Sequence, residues 1–231
     1  MTSAEQVRKA LIAIRHEIQH VLPFDSATLH PLVFDFSGEN HELVNIDLMN
    51  TMQFSAYIDK EMQQHRVSIA IGRYNEHRTI YARSSLFQGH EPRTVHLGID
   101  LFTAAKTPVF APLPGIIHSF QNNAAFGDYG PTIILEHEVN GVRFYTLYGH
   151  LSEESLHGIK HGQSVAAGEQ IAAIGNYPSN GSWPPHLHFQ IITDMQGRTG
   201  DFPGVASLTQ REQFLELCPD PNLILRIKSL Q

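Results

Sequence analysis

The chain has 231 residues, 42% hydrophobic and only 17% charged. That is enough apolar material for an ordinary core in one large domain or two small ones, and it excludes a disordered chain. A formal charge of −7, with 16 scattered Lys and Arg, offers no basic patch to neutralise phosphates and excludes nucleic acid as an expected partner.

The opening MTSAEQVRKALIAIRHEIQH interrupts its apolar residues with charges, so neither a secretory signal nor a membrane span is expected. The expected compartment is the cytoplasm, with export by a route invisible in the sequence as the alternative. Val7, Leu11, Ile14, Ile18 and Leu22 recur at steps of three and four, and Ser3 and Gln6 have capping-box spacing, so an amphipathic helix is predicted over residues 3–22. HPLVFDFSG reads as a short strand closed by Gly38, Leu43 to Met62 as a second helix, and the alternation of Val67, Ile69 and Ile71 as another strand. Residues 1–86 thus form an expected α/β accessory unit without a catalytic motif.

From about Thr94 the texture changes to short apolar runs broken by Gly and Pro, among them TPVFAPLPGIIHSF, PTIILEHEV, GVRFYTLYGHL and HLHFQII. This predicts an antiparallel all-β domain, sandwich or barrel-like, over residues 87–200. Residues 201–231 follow as a C-terminal helix and tail: Thr209 and Glu212 are spaced as a capping box, and NLILRIKSLQ is ambiguous between strand and helix. The overall class is α+β. Cys218 cannot form an internal disulfide and, beside Pro219, reads as a packed small side chain.

Fifteen histidines make chance pairs common: roughly one His-x-His is expected by accident. From spacing alone, His96 is as well read as a surface imidazole and Asp100 as a turn or cap residue. Strand geometry adds to the signal, because His186 and His188 would project from one face while Leu187 enters the core. His96 and Asp100 are likewise an even number of residues apart, with Gly98 between them leaving room beside an ion. Two imidazoles and a carboxylate suit a catalytic zinc with an open fourth position. His118, His137, His157 and His161 read as structural or exposed, Tyr145 and Tyr148 as core, and Trp183 as either a groove wall or a loop anchor.

HLGIDLFTAAKTPVFAPLPGIIHSF, YTLYGHLS and PHLHFQI, in that order, resemble the lysostaphin-type (LytM-like) zinc endopeptidases. The resemblance implies His96, Asp100 and His188 as ligands of one Zn²⁺ per chain, with His150 and His186 near the attacking water. It also implies an antiparallel β core with the site in a groove on one sheet, and a peptide or peptidoglycan-derived substrate. Two departures, Ser182-Trp183-Pro184-Pro185 before the H-x-H and Gln190 after it, are expected beside the groove and bear on substrate preference. The wider stretch, from GRYNEHRTIY through NNAAFGDYGPTIILEHE to CPDPNLIL, also looks like the peptidase-like module of fusion proteins carrying class III aminotransferase and kinase domains. That context implies a cytoplasmic substrate other than intact wall.

The expected activity is therefore zinc-dependent endopeptidase hydrolysis of amide bonds. No H-E-x-x-H glutamate is present as base, so proton transfer falls to His150 and His186, in roles the sequence does not divide. The alternative is a cytoplasmic binding or regulatory module that keeps the scaffold without wall-lytic activity.

Overall fold

A computed structural model describes residues 1–24 and 30–230. The first helix, α1 (Ser3–Ala13), is capped one residue earlier than predicted: the Thr2 hydroxyl accepts from the Glu5 N–H, and the Glu5 carboxylate accepts from the Thr2 N–H. It also ends well before residue 22. Ile18, Val21 and Leu22 are buried in the same core as Val7 and Leu11, but they arrive from the non-helical segment after Ile14. Their spacing imitates a helical stripe because one core receives both segments.

Next come β1 (Leu32–Phe34), a separate 3-10 turn at His41–Asn45, α2 (Thr51–Gln64) and β2 (Ala70–Gly72). Asn50 caps α2 by accepting from the Met52 and Gln53 N–H groups, which places the helix start after the predicted Leu43. Strands β3 (Arg93–His96), β4 (Ile99–Phe102), β5 (Pro108–Phe110), β6 (Gly115–Asn123), β7 (Gly130–Val139), β8 (Val142–Gly149), β9 (Ser164–Val165), β10 (Gln170–Ala173), β11 (His186–Ile192) and β12 (Val205–Ser207) follow. The chain closes with α3 (Arg211–Leu217) and α4 (Asn222–Leu225). The predicted Thr209 cap is not made: α3 starts after Gln210 without a side-chain cap, and the Thr209 hydroxyl bonds Glu91 instead. NLILRIKSL resolves into α4, a left-handed Arg226 and a 3-10 turn at Lys228–Leu230; Gln231 lies outside the described residues.

Eight strands form one sheet in the order β1-β2-β4-β11-β8-β7-β6-β9. Every pairing is antiparallel except β1 with β2. The β7–β8 hairpin turns on Asn140 and Gly141, both with positive φ, the two-residue turn whose twist matches that of the strands. Strand β11 is buried along its whole length, which requires cover on both faces. Leu187, Phe189 and Ile191 enter one apolar core with Ile133, Leu135 and Tyr148. The opposite face carries His186, His188 and Gln190, so alternation on one central strand separates core from chemistry. Phe36, Phe54 and Ile58 from the N-terminal residues pack with Phe102, Trp183 and Val205 in a second core beside that polar face.

Candidate metal centre

Sheet register brings the polar residues together. Asp100 on β4 lies directly opposite His188 on β11, and His96 ends β3 four residues earlier. His96 Nε2 is 3.2 Å from Asp100 Oδ1, His188 Nδ1 is 3.1 Å from the same oxygen, and the two nitrogens are 3.0 Å apart. One ligand atom from each residue lies within 4.8 Å of the others. All three are buried, at 1%, 4% and 3% exposure for His96, Asp100 and His188. Gly98 supplies the room: a Cβ there would overlap the His188 ring.

The far side of each imidazole fixes its tautomer. His96 Nδ1–H donates to the Arg73 carbonyl at 2.8 Å, leaving the Nε2 lone pair facing Asp100. Gln190 uses its amide N–H groups on the Pro203 carbonyl and Cys218 Sγ, so its Oε1 accepts from His188 Nε2–H at 2.9 Å and leaves Nδ1 as the free lone pair. His186 Nδ1–H donates to the Pro184 carbonyl at 2.7 Å and His150 Nδ1–H to the Asn180 carbonyl at 2.8 Å, so each retains an Nε2 lone pair. The His150 and His186 rings lie 4.2 Å apart, and His186 Nε2 is 3.8 Å from Asp100 Oδ1. All five expected site residues thus meet at one place.

Burial favours the neutral form of His96, His150 and His186. It pushes His186 down to about 4, and together with the Arg78 charge it pushes His96 down to about 3. His150 is driven well below its usual value by burial and then by His186 and His188. Burial opposes ionisation of Asp100 as well, but the Arg78 guanidinium bonded to its Oδ2 outweighs it and holds the carboxyl well below the ordinary range. Neutral imidazoles and an ionised carboxylate are the protonation states a divalent cation requires.

Two residues here have no signature in the sequence. Arg78, 1% exposed, bridges Glu76 at 2.8 Å and Asp100 Oδ2 at 2.6 Å. Tyr129 brings its hydroxyl 3.4 Å from Gln190 Oε1 and 3.5 Å from His188 Nε2. A lone Arg in RTIY and a lone Tyr in GDYG carry no periodicity that would mark them. Gln190, expected beside the groove, is fully buried, and its amide stands behind His188.

The site opens into a cavity of about 220 Å³ whose walls include Tyr81, Phe87, Tyr129, Trp183 and Phe202. Trp183 is thus a cavity wall, and its loop is tied by Asn180, which bonds both the Trp183 N–H and its carbonyl. His137 is structural as expected, bonded to the Pro114 carbonyl and Thr146 Oγ1. No helix among the described residues is long and apolar enough to cross a membrane.

Residues 94–199 match the sequence profile of peptidase family M23. Over 128 residues, 52% of this chain, it is 37% identical to a Haemophilus influenzae protein described as an uncharacterized metalloprotease, covering 24% of that protein. It is 27% identical over 151 residues to the L-Ala–D-Glu endopeptidase of Bacillus subtilis, covering 63% of this chain and 43% of the relative. Each match therefore spans less than half of the curated relative. Among solved structures, the catalytic domain of lysostaphin from Staphylococcus simulans is 29% identical, with 52% of this chain and 80% of that one covered and a TM-score of 0.36. A zinc-containing peptidase from Vibrio cholerae is 28% identical over 42% of this chain and 27% of that one, with a TM-score of 0.32. The resemblance in HLGID, YGHLS and HLHFQ extends across the strands that carry the site, and the match to peptidase family M23 covers residues 94–199, just under half of the chain.

Proposed function

We propose that this protein is a zinc-dependent endopeptidase cleaving amide bonds in peptides of the peptidoglycan type or related small peptides. The observation that carries the reading is the convergence of three locked lone pairs, His96 Nε2, Asp100 Oδ1 and His188 Nδ1, on buried side chains. Two neutral nitrogens and one carboxylate oxygen are a donor set suited to catalytic zinc, and one ion per chain would be held by these atoms. When bound, zinc lowers the pKa of a coordinated water towards ~7 and polarises the scissile carbonyl.

His150 and His186 contribute the proton chemistry. Each presents an unprotonated Nε2 beside the ligand set and anchors its Nδ1–H on a backbone carbonyl, so each can accept a proton at Nε2 without turning its ring. Once protonated, the same nitrogen donates to the oxyanion of the tetrahedral species or to the departing amine. Tyr129 packs against the His150 and His188 rings, at centroid distances of 5.8 and 5.0 Å, and helps to exclude water.

The amide-bond assignment draws support from the metalloprotease and endopeptidase descriptions of the two relatives. The test is metal analysis of the purified protein, followed by mass spectrometry of digested muropeptides and cytosolic peptides. Stoichiometric zinc with cleavage of either set is expected; zinc with cleavage of neither would favour a binding module that retains the scaffold.

A further inference from the structure

An aspartate ligand poses a geometric problem. Its two oxygens are equivalent, and a freely turning carboxylate can offer both to a cation and occupy the position an attacking water needs. Here the two oxygens of Asp100 are distinguished. Oδ1 faces His96 and His188, while Oδ2 accepts from Arg78 Nη1 at 2.6 Å.

The guanidinium is held on every side. Nε donates to Glu76 Oε2 at 2.8 Å, Nη1 also reaches the Tyr81 hydroxyl at 3.2 Å, and Nη2 donates to the Arg73 carbonyl at 3.1 Å. Its plane lies against the Phe36 and Tyr81 rings, at 5.2 and 5.8 Å. Glu76 is fixed in turn by the Phe36 N–H at 3.2 Å. Gly72, paired opposite Asp100 across β2 and β4, leaves the space in which the ion pair lies; a Cβ there would stand 2.5 Å from Arg78 Nη2 and 3.0 Å from Asp100 Oδ2. Gly72, Glu76, Arg78 and Tyr81 all precede the family-matched residues 94–199.

We infer that Arg78 is a positioning residue of the metal centre: it engages Asp100 Oδ2, restricts the carboxylate to one-oxygen ligation through Oδ1, and thereby keeps a coordination position open for water. The inference rests on the zinc reading above and deepens it, because it makes the segment before the matched domain a working part of the centre. Arg78 touches neither substrate nor metal; it acts through Asp100. Lysine, a single point donor in place of a fork, could not bond Glu76, Asp100 and the Arg73 carbonyl together.

The test uses the full chain loaded with Co²⁺, whose visible spectrum reports coordination number. Arg78→Met with Glu76→Gln removes the cation and one of its two counter-charges together, so Glu76 is not left as an orphaned buried carboxylate while Asp100 Oδ2 is freed. This variant should take up cobalt with a weaker visible band than the wild type, as expected for a carboxylate that has become bidentate. With zinc its kcat should fall about 10- to 100-fold, the usual effect of losing a partner behind a ligand, while KM stays within about twofold. Arg78→Lys should be intermediate. Gly72→Ala, which keeps both charges and presses on the pair from β2, should move the spectrum in the same direction and covers the case in which the double variant does not fold. An unchanged spectrum in folded, cobalt-loaded variants overturns the proposal, as does a loss of activity accompanied only by a lower metal-free Tm. Wild-type protein that takes up no cobalt would overturn the zinc reading itself, a result distinct from either.

Discussion

Each histidine of the centre is committed by a backbone carbonyl or an amide oxygen on its outer side, and this commitment makes its inner nitrogen a donor of known identity. Gln190 performs this for His188. Gln190→Leu should therefore weaken zinc binding by about 10- to 100-fold, read by competition with a chromophoric chelator, and Gln190→Glu, which keeps the acceptor, should lose less. Gly98→Ala should displace the His188 ring and lower zinc affinity, whereas Gly89→Ala, where an added Cβ meets nothing within 4 Å, should leave it unchanged. Equal affinities for the two alanine variants would show that the ring has slack the packing does not suggest. The convergence of His96, Asp100 and His188 was expected from the resemblance in three ordered segments; the H-x-x-x-D and H-x-H spacings, ambiguous alone, are converted by strand alternation into shared faces. Arg78 and Tyr129 were not legible, since each reaches the site by a tertiary contact that leaves no local pattern.

At the scale of elements, β4 is flanked by β11 on one side and β2 on the other. A chain beginning at residue 94 would lose β2, expose one edge of β4 beside Asp100, and lose Arg78. Such a truncation should show lower solubility and a lower Tm without metal than the full chain, measured side by side; equal behaviour would mean that the first 93 residues neither protect the edge nor brace the site. The strand-rich reading from about Thr94 onward agrees with the observed sheet because turn residues punctuate strands reliably. The helix predicted over residues 3–22 overshot, as Ile18 and Leu22 were apolar for the sake of the shared core and not for a helical face. The Thr209 cap failed for a related reason: its hydroxyl found a distant partner in Glu91, which local spacing cannot reveal.

For the whole molecule, a metal-free fold that buries neutral histidines carries a pH signature. His137 and His186 are pushed down to about 4 and His96 to about 3, from an ordinary value of 6.5, with burial the leading cause for each. Between those values and 6.5 the unfolded chain binds more protons than the folded one, so stability is full above 6.5 and falls as pH drops towards 4. Each such histidine contributes a slope of roughly 1.4 kcal/mol per pH unit within that window. Denaturant unfolding of metal-free protein at pH 7 and pH 5 should show this loss, and His137→Gln, remote from the centre, should reduce it by about one proton's worth. A pH-independent stability would contradict the buried neutral state.

The most direct measurement of the central claim is zinc stoichiometry beside peptide cleavage for alanine variants of the five site residues. His96→Ala, Asp100→Ala and His188→Ala should lose zinc and activity together, each removing one of three protein ligands. His150→Ala and His186→Ala should keep about one zinc per chain while turnover falls roughly 10²- to 10⁴-fold, the range for lost acid–base assistance. Retention of zinc in His188→Ala together with its loss in His186→Ala would contradict the account, because the two histidines of β11 would then have exchanged roles.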